Sequence, residues 1–266
     1  MLKAPVKLTG YGKGMAISMK RTIYLGVITL ITIGCVLYGV NGWFGGNRNF
    51  FSFGNEQQYR YSIQENTTLE PFHSIAVDAV VMDMTIIEGT DYSLDYDGTE
   101  ELEMAYRVEK DELIVTQKKR RNLVGNNSAE LILTIPKDTQ LEKADITVDV
   151  GDIEVEGVAI KTLEADSDVG DITVKNSSVN SAVLDSDTGD INVDSCSFVM
   201  LDVASDVGEI EVDSNMDISG YMLDLKTDIG EVEIGTETYG KKYFHAGKNG
   251  SITARGSVGD ISINES

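Results

Sequence analysis

Over most of the second half of the chain apolar and polar residues alternate with period two, and single glycines break the alternation at intervals. Leu201, Val203, Ser205 and Val207 alternate with Asp202, Ala204 and Asp206, the pattern of a half-buried strand. After Gly208 the phase slips by one residue, and Ile210 and Val212 become the apolar set. A slip of one across a Gly-acidic pair predicts a corner, where the backbone turns and both flanking strands keep their apolar faces on one core. The same scheme puts Leu163, Ala165, Val169, Ile172 and Val174 inside in one repeat, and Leu223, Leu225, Ile229, Val232 and Ile234 in another. One inward slot is hydroxylated in four repeats, at Ser167, Ser186, Ser205 and Thr227. A buried hydroxyl needs a partner, and stacked hydroxyls can bond one another or the corner backbone.

The corners share a phrase. Asp149-Val-Gly-Asp-Ile-Glu-Val155 returns with small changes at residues 168–174, 187–193, 206–212, 228–234 and 257–263. Its glycines fall at 151, 170, 189, 208, 230 and 259, so three intervals are 19 residues and the last two are 22 and 29. A period near 20 in β-forming residues predicts the stacked coils of a solenoid. Glycine is expected at such a corner if the position needs positive φ. The aspartate two residues before each glycine, at 149, 168, 187, 206 and 228, is expected to accept a hydrogen bond from its own turn.

Residues 59–140 are strand-like but less regular. Candidate strands are Phe72–Asp78, Val81–Glu88, Tyr92–Tyr96, Met104–Val108, Glu112–Thr116 and Ala129–Ile135, with turns at Gly89–Asp91 and Lys110-Asp111. Solenoids need atypical ends to shield their open edges. This portion therefore reads as opening coils and cap of one domain spanning 59–266, with regular repeats over 141–266. A polar loop begins at Lys118-Lys-Arg-Arg121. The longest insertion, residues 235–250, holds Tyr239, Lys241, Lys242, Tyr243, Phe244, His245 and Lys248 and is the one basic, aromatic island on an acidic solenoid. Loops that project from repeat arrays often carry binding; a lengthened loop without function is the plainer reading.

Charge divides the chain. Five basic residues, Lys3, Lys7, Lys13, Lys20 and Arg21, precede any acid, whereas the whole 266-residue chain carries 22 basic and 44 acidic residues for a net of −22. The acidic body is expected to repel nucleic acid and anionic lipid surfaces. Ile23–Val40 is an uncharged, mostly apolar run of about the minimum length for a spanning helix. Trp43 and Phe44, then Phe50, Phe51 and Phe53, supply aromatics for a membrane interface. The expected order is a cytoplasmic tail at 1–21, a transmembrane helix at 22–41, a linker at 42–58 and an extracytoplasmic solenoid, since basic residues stay inside. Two alternatives stand beside a retained span. One is a cleaved signal peptide, although no small-x-small cleavage site follows the run. The other is lipidation at Cys35 in Ile31-Thr-Ile-Gly-Cys35, against which Val36–Val40 continues the apolar run. Cys35 and Cys196 form no disulfide framework, and Cys196 reads as a small core residue.

Phe72-His-Ser-Ile-Ala-Val-Asp78, followed by repeated Ser-Asp-Val-Gly-Asp-Ile-x-Val coils, resembles the bacterial DUF4097 family, described as candidate adhesins and related to the membrane-anchored LiaG-type proteins of Gram-positive bacteria. The resemblance covers roughly residues 70–266. It implies an all-β, single-stranded parallel β-helix, right-handed, with coils of about 19 residues. It transfers no catalytic residues.

No catalytic, cofactor or metal residues are assigned from the sequence. His73 and His245 are the only histidines and lie in different kinds of segment, which gives zinc and Ser-His-Asp sites little support. The repeated glycines lack a phosphate-loop context. Carboxylates are so many that no one pair argues for a glycosidase. Calcium is the more serious alternative: stacking would set equivalent acids about 4.8 Å apart in two ladders, one through Asp149, Asp168, Asp187, Asp206 and Asp228, the other through Asp152, Asp171, Asp190, Glu209 and Glu231. The expectation is thus a membrane-anchored, non-enzymatic binding or scaffold module, adhesin-like or linked to envelope stress, with an envelope protein or glycan as partner. An enzyme on envelope polysaccharide and a calcium-binding surface protein are the alternatives.

Overall fold

The computed structural model describes residues 62–117 and 127–265, all within one compact unit, Tyr59–Ser266. The cytoplasmic tail, transmembrane helix, linker, Cys35 and the basic loop from Lys118 fall outside the described residues. No helix among the described residues is long and apolar enough to cross a membrane.

The fold is an all-β solenoid, and a middle coil shows why. Ala159–Val169 forms a long strand on one sheet, residues 168–171 turn the corner, and Ile172–Lys175 forms a short strand on the opposite sheet. Leu163, Ala165 and Ser167 from the first strand and Ile172 and Val174 from the second are buried between the sheets. A second corner then returns the chain. It is made by a left-handed residue in three successive coils, Gly157 (φ 72), Asn176 (φ 50) and Ser195 (φ 54). The next residue points inward: Val158, Ser177 and Cys196 are all buried there. Cys196 is thus a small core residue, and its desolvation pushes the thiol up from its ordinary range.

Equivalent residues of successive coils pair in parallel. Leu163 lies beside Ala144 on one side and Ala182 on the other, and Ile172 lies between Ile153 and Ile191. The inward hydroxyls bond the corner backbone and not one another. Ser167, Ser186 and Ser205 donate to the carbonyls of Gly151, Gly170 and Gly189 at 3.1, 3.0 and 3.0 Å, and Thr227 donates to that of Gly259 at 2.8 Å.

Spatial order departs from chain order at both ends. The strand Ser74–Val81 lies between Glu112–Gln117 and Gln140–Val150, so the first coil sits one rung in from the end, and Glu112–Gln117 and Ala129–Pro136 form the outermost rung. At the other end Ser251–Val258 lies between the Met200–Val207 stretch and Met222–Ile229. The last coil is therefore inserted before the 222–234 coil. Acid ladders drawn in chain order are corrected accordingly: Ser257 and Asp260 stand between the 206–209 and 228–231 corners.

Antiparallel strands close both ends. Met104–Glu109 pairs antiparallel with Glu112–Gln117 through a hairpin whose turn residues, Lys110 (φ 53) and Asp111 (φ 68), have the left-handed geometry of a tight two-residue loop. Ser93–Thr99 covers Ala129–Pro136, and Ser62–Thr68 covers Ser93–Thr99. Gln117, itself buried, accepts from the amides of Val80 and Val81 at 3.0 and 2.9 Å and donates to the Val81 carbonyl at 3.1 Å. At the far end Lys242–His245 covers Met222–Ile229, and Glu237–Thr238 covers Val232–Ile234. The 235–250 insertion is thus a cap and not an idle loop, because an uncovered edge strand is a template for aggregation.

The corner glycines are required chiefly by close approach. A Cβ on Gly170, Gly189 or Gly208 would lie 2.0, 2.0 or 1.9 Å from the carbonyl oxygen of the glycine one coil back. Positive φ holds at Gly151, Gly170, Gly230 and Gly259 but not at Gly189 or Gly208, which corrects the expectation that φ alone demands glycine. Replacing Gly189 by Ala should therefore cost about 1–3 kcal/mol, the range for forcing atoms into a filled space. Amide exchange should accelerate around residues 172–214 and stay unchanged near residues 74–89, because each coil bonds only its neighbours. Uniform acceleration across the domain would contradict this local picture.

Candidate functional site

Each corner phrase places its side chains in fixed stations. Taking residues 168–172, Asp168 and Val169 both point to solvent, Gly170 packs on the previous coil, Asp171 is exposed and Ile172 returns to the core. The phase slip therefore falls before the valine. Val169, Val207 and Ile229, expected inside, are 48%, 50% and 52% exposed. The sequence signal is equivocal here: Ser167 and Ile172 are both inward and five residues apart, an odd spacing that requires one slip without saying on which side of the valine it occurs.

The carboxylate after the glycine is the one that bonds the backbone of the next coil. Asp83, Asp152, Asp171 and Asp190 each accept from the amide of the equivalent residue one coil on, respectively Asp152, Asp171, Asp190 and Glu209, at 2.7–3.1 Å. Asp260 does the same for the Glu231 amide at 2.8 Å. These are inter-coil bonds of the charge-assisted kind, so the expected own-turn bonds of the other column give way to a ladder along the axis. In that other column Asp206 accepts from the Ser257 hydroxyl at 2.9 Å, and Asp228 is paired with Lys226 at 2.9 Å.

Like charge accumulates on the longer sheet. Asp166 lies beside Asp185 in register. Desolvation first, and then Asp168 and Asp187, raise the Asp166 carboxyl above its ordinary range. The Asp185 carboxyl is raised by desolvation and by the aspartates at 166, 187, 206 and 202. Elsewhere coils are tied by half-exposed ion pairs, Lys161–Glu142 at 2.6 Å and Lys175–Glu154 at 3.1 Å, each worth at most about 1 kcal/mol.

The cap at residues 235–250 carries the aromatic and cationic groups that the sequence singled out. The Tyr239 and Tyr243 rings meet at a 56° tilt with centroids 4.4 Å apart, and Phe244 is 67% exposed. The Lys241 ammonium donates to the Asp228 carbonyl at 2.5 Å, while Lys242 and Lys248 are exposed. A cavity of about 440 Å³ opens beside it, floored by Ile218, Leu223 and Ile263 and walled by Tyr243, His245 and Glu265. At the opposite end a hollow of about 500 Å³ is lined by Glu65, Asp95, Asp97 and Glu130. Asp97 and Asp95 there are engaged by the Gln64 and Asn66 amides at 2.8 and 3.1 Å, an arrangement of cross-strand pairs. His73, in the first coil, bonds Asp111 at 2.9 Å, so the two histidines are at opposite ends of the stack. Among the described residues no group of three His, Cys, Asp or Glu side chains is placed to hold a metal.

A family profile for Toastrack DUF4097 matches residues 72–264, most of the chain and every coil of the stack. The chain belongs to this family. Among solved structures, a candidate cell adhesion protein from Clostridium sporogenes ATCC 15579 is similar, with a TM-score of 0.50 and 17% identity over 77% of this chain and 100% of that one. A candidate adhesin from Bacteroides fragilis NCTC 9343 has a TM-score of 0.43 and 14% identity over 76% of this chain and 97% of that one. At such identities the likeness speaks to the fold alone. No curated protein matches. The stacked coils are thus the Toastrack fold of this family.

Two outcomes follow for this Toastrack domain. Deleting Lys241–Lys248 should lower the melting temperature and speed exchange over residues 222–234, because it uncovers the outermost strand; an unchanged melt would return the insertion to the status of a spare loop. Asp166 and Asp185 bind their protons more readily folded than unfolded, so their ionisation costs stability as pH rises through the raised carboxyl range. The double variant Asp166→Asn, Asp185→Asn should therefore melt higher than the parent at neutral pH, and the gain should fade as pH falls through that range. A gain independent of pH would assign it to something other than charge.

Proposed function

We propose that this Toastrack protein is a membrane-anchored, extracytoplasmic and non-enzymatic binding or scaffold module of the cell envelope, adhesin-like or linked to envelope stress, that meets an envelope protein or glycan with its capped end. The observation that carries this reading is the 235–250 cap. It sets Phe244, 67% exposed, beside the paired Tyr239 and Tyr243 and the exposed Lys242 and Lys248, on a chain whose net charge is −22. Exposed aromatics with cations are the groups that interfaces concentrate. The cap lies at the end of the stack opposite to Ser62, where the described chain begins. Some 34 Å separates the outermost rungs at about 4.8 Å per step, so the cap stands well away from the Ser62–Thr68 strand. The candidate cell adhesion protein of Clostridium sporogenes agrees with a surface role.

The test combines topology with binding. Protease added to intact protoplasts should digest the solenoid; protection until lysis would reverse the orientation. Full-length protein should retain an envelope protein or glycan on pull-down, and a Phe244→Ser, Lys242→Glu variant with an unaltered melt should lose it. Retention by the variant would move the contact off the cap. Release of reducing ends from wall polymers, abolished by one Asp or Glu substitution, would replace this reading by an enzyme.

A further inference from the structure

The exposed apolar residues of the corner phrases form a single line. Backbone pairing sets Val81 beside Val150, Val150 beside Val169 and Val169 beside Thr188. The line continues through Val207 and Val258 to Ile229. Val150, Val169, Val207 and Ile229 are 44%, 48%, 50% and 52% exposed. Six steps of about 4.8 Å make a ridge about 29 Å long. The residue before Val150, Val169, Val207 and Ile229 and the residue two after each of them are acidic, so carboxylates border the ridge on both sides at these stations.

The fold explains every station of the phrase but the valine and, at Asp168 and Asp187, the aspartate before it. Glycine allows close packing, the aspartate after it bonds the next coil, and the isoleucine enters the core. The exposed valine has no such duty. A strand former suffices at that station, and Thr188 shows that a polar one serves. Keeping Val150, Val169, Val207 and Ile229 there exposes apolar area to water at a cost that burial against a partner would recover. The carboxylates of Asp168 and Asp187 are likewise without structural duty, facing the like charge of Asp166.

We propose that this acid-bordered ridge is a docking surface for a cationic amphipathic helix of a partner protein, laid along the solenoid axis. Charge selects the class of occupant. A second copy would set carboxylate against carboxylate, and an anionic membrane or nucleic acid would be repelled, whereas a helix whose apolar stripe is bordered by Lys or Arg matches both the ridge and its borders. Pitch selects the conformation. A helix returns the same face every 5.4 Å, about 0.6 Å from the coil spacing, while an extended segment returns it about every 6.8 Å and loses register about three times faster. A helix of about 19 residues would cover the ridge. The ridge meets the cap only at its Ile229 end, where Lys241 bonds the Asp228 carbonyl, and the ridge variants below lie away from that end, so the two readings are tested independently.

The test uses full-length protein in zwitterionic nanodiscs and a labelled 19-residue peptide built of Leu and Lys, with Leu on one helical face. Fluorescence anisotropy should show saturable binding that weakens with salt. Val150→Ser, Val169→Ser and Val207→Ser together keep every charge and should weaken binding roughly tenfold or more. Asp168→Asn with Asp187→Asn keeps the ridge and should weaken it mainly at low salt. A peptide of the same composition with its Leu scattered should bind as poorly as the serine variant does. Equal binding by the serine variant or by the scattered peptide would reduce the effect to a counter-ion atmosphere and overturn the proposal. So would self-association of the parent that the three serines abolish. Loss of the Phe244→Ser, Lys242→Glu cap contact would leave this result untouched.

Discussion

Stacking of one corner glycine on the next is the constraint from which the rest of the solenoid follows. Parallel backbone bonding asks neighbouring strands to sit about 4.8 Å apart, and at the corner the chain must keep that spacing while it turns. With a Cβ on Gly259 only 1.8 Å from the Gly208 carbonyl, no other residue allows it without opening the stack. The approach is of the kind that Cα–H···O contacts make between adjacent strands. Because the carbonyl is turned toward the neighbouring coil, the inward serine can reach it. The hydroxyl at Ser186 bonds Gly170 across the coils and satisfies an oxygen that the turn would otherwise leave short of donors. Where the partner slot is Gly256 in place of serine, the neighbouring Thr227 supplies the added bulk, since a Cβ there would touch the Thr227 side chain at 3.4–3.5 Å. Spacing, hydroxyl column and side-chain size are thus one linked solution.

A stack bonded only to nearest neighbours frays from its ends, and this one counters fraying through topology. The first and the last coil in chain order are each held between two others. Ser74–Val81 and Ser251–Val258 consequently have hydrogen-bonded partners on both sides. The outermost rungs are chain-interior and tethered at both of their ends. Each must still cover its free edge, and it does so by turning the chain back antiparallel, which also ends the register that could add another parallel coil. Tyr221 shows how the detour at residues 215–221 is sealed: its ring meets Phe198 edge-on at 6.1 Å and its hydroxyl donates to the Phe198 carbonyl at 2.8 Å.

These features were unequally legible in the sequence. Period-two alternation located the core strands, because burial of Leu163, Ala165 and Ile172 leaves no other way to use an apolar face. All six candidate strands between residues 72 and 135 are present with ends shifted by a few residues. What did not show was the order of rungs. Intervals of 22 and 29 residues reveal extra chain, but an insertion that lengthens a loop and one that carries the chain past a coil and back look alike in one dimension. The side of the corner valine was hidden for a related reason, since an odd inward spacing fixes that a slip occurs and not where. The cap was legible only as composition: Lys241 to Lys248 stood out as basic and aromatic, while their pairing with Met222–Ile229 depends on the edge that the rung order creates.

The acid columns show why composition understates what a repeat does. Spread over a globular surface, the chain's excess of carboxylates would be a diffuse cloud; threaded on coils about 4.8 Å apart, the same groups become continuous lines of like charge. One line is partly neutralised by the structure itself, because each aspartate after a glycine receives the amide of the next coil, as at Asp171 and Asp190. In the other, Asp168 and Asp187 receive no such amide and remain a fixed negative field along the ridge. Protonation relieves like charge most readily where desolvation and neighbouring aspartates oppose ionisation, at Asp166 and Asp185. A solenoid that tolerates such a field at neutral pH does so because backbone pairing and the buried core hold the spacing that electrostatics alone would widen. The repeat that makes the rod rigid therefore also prevents its charge from dispersing, and any cationic partner meets a field whose period is set by the backbone.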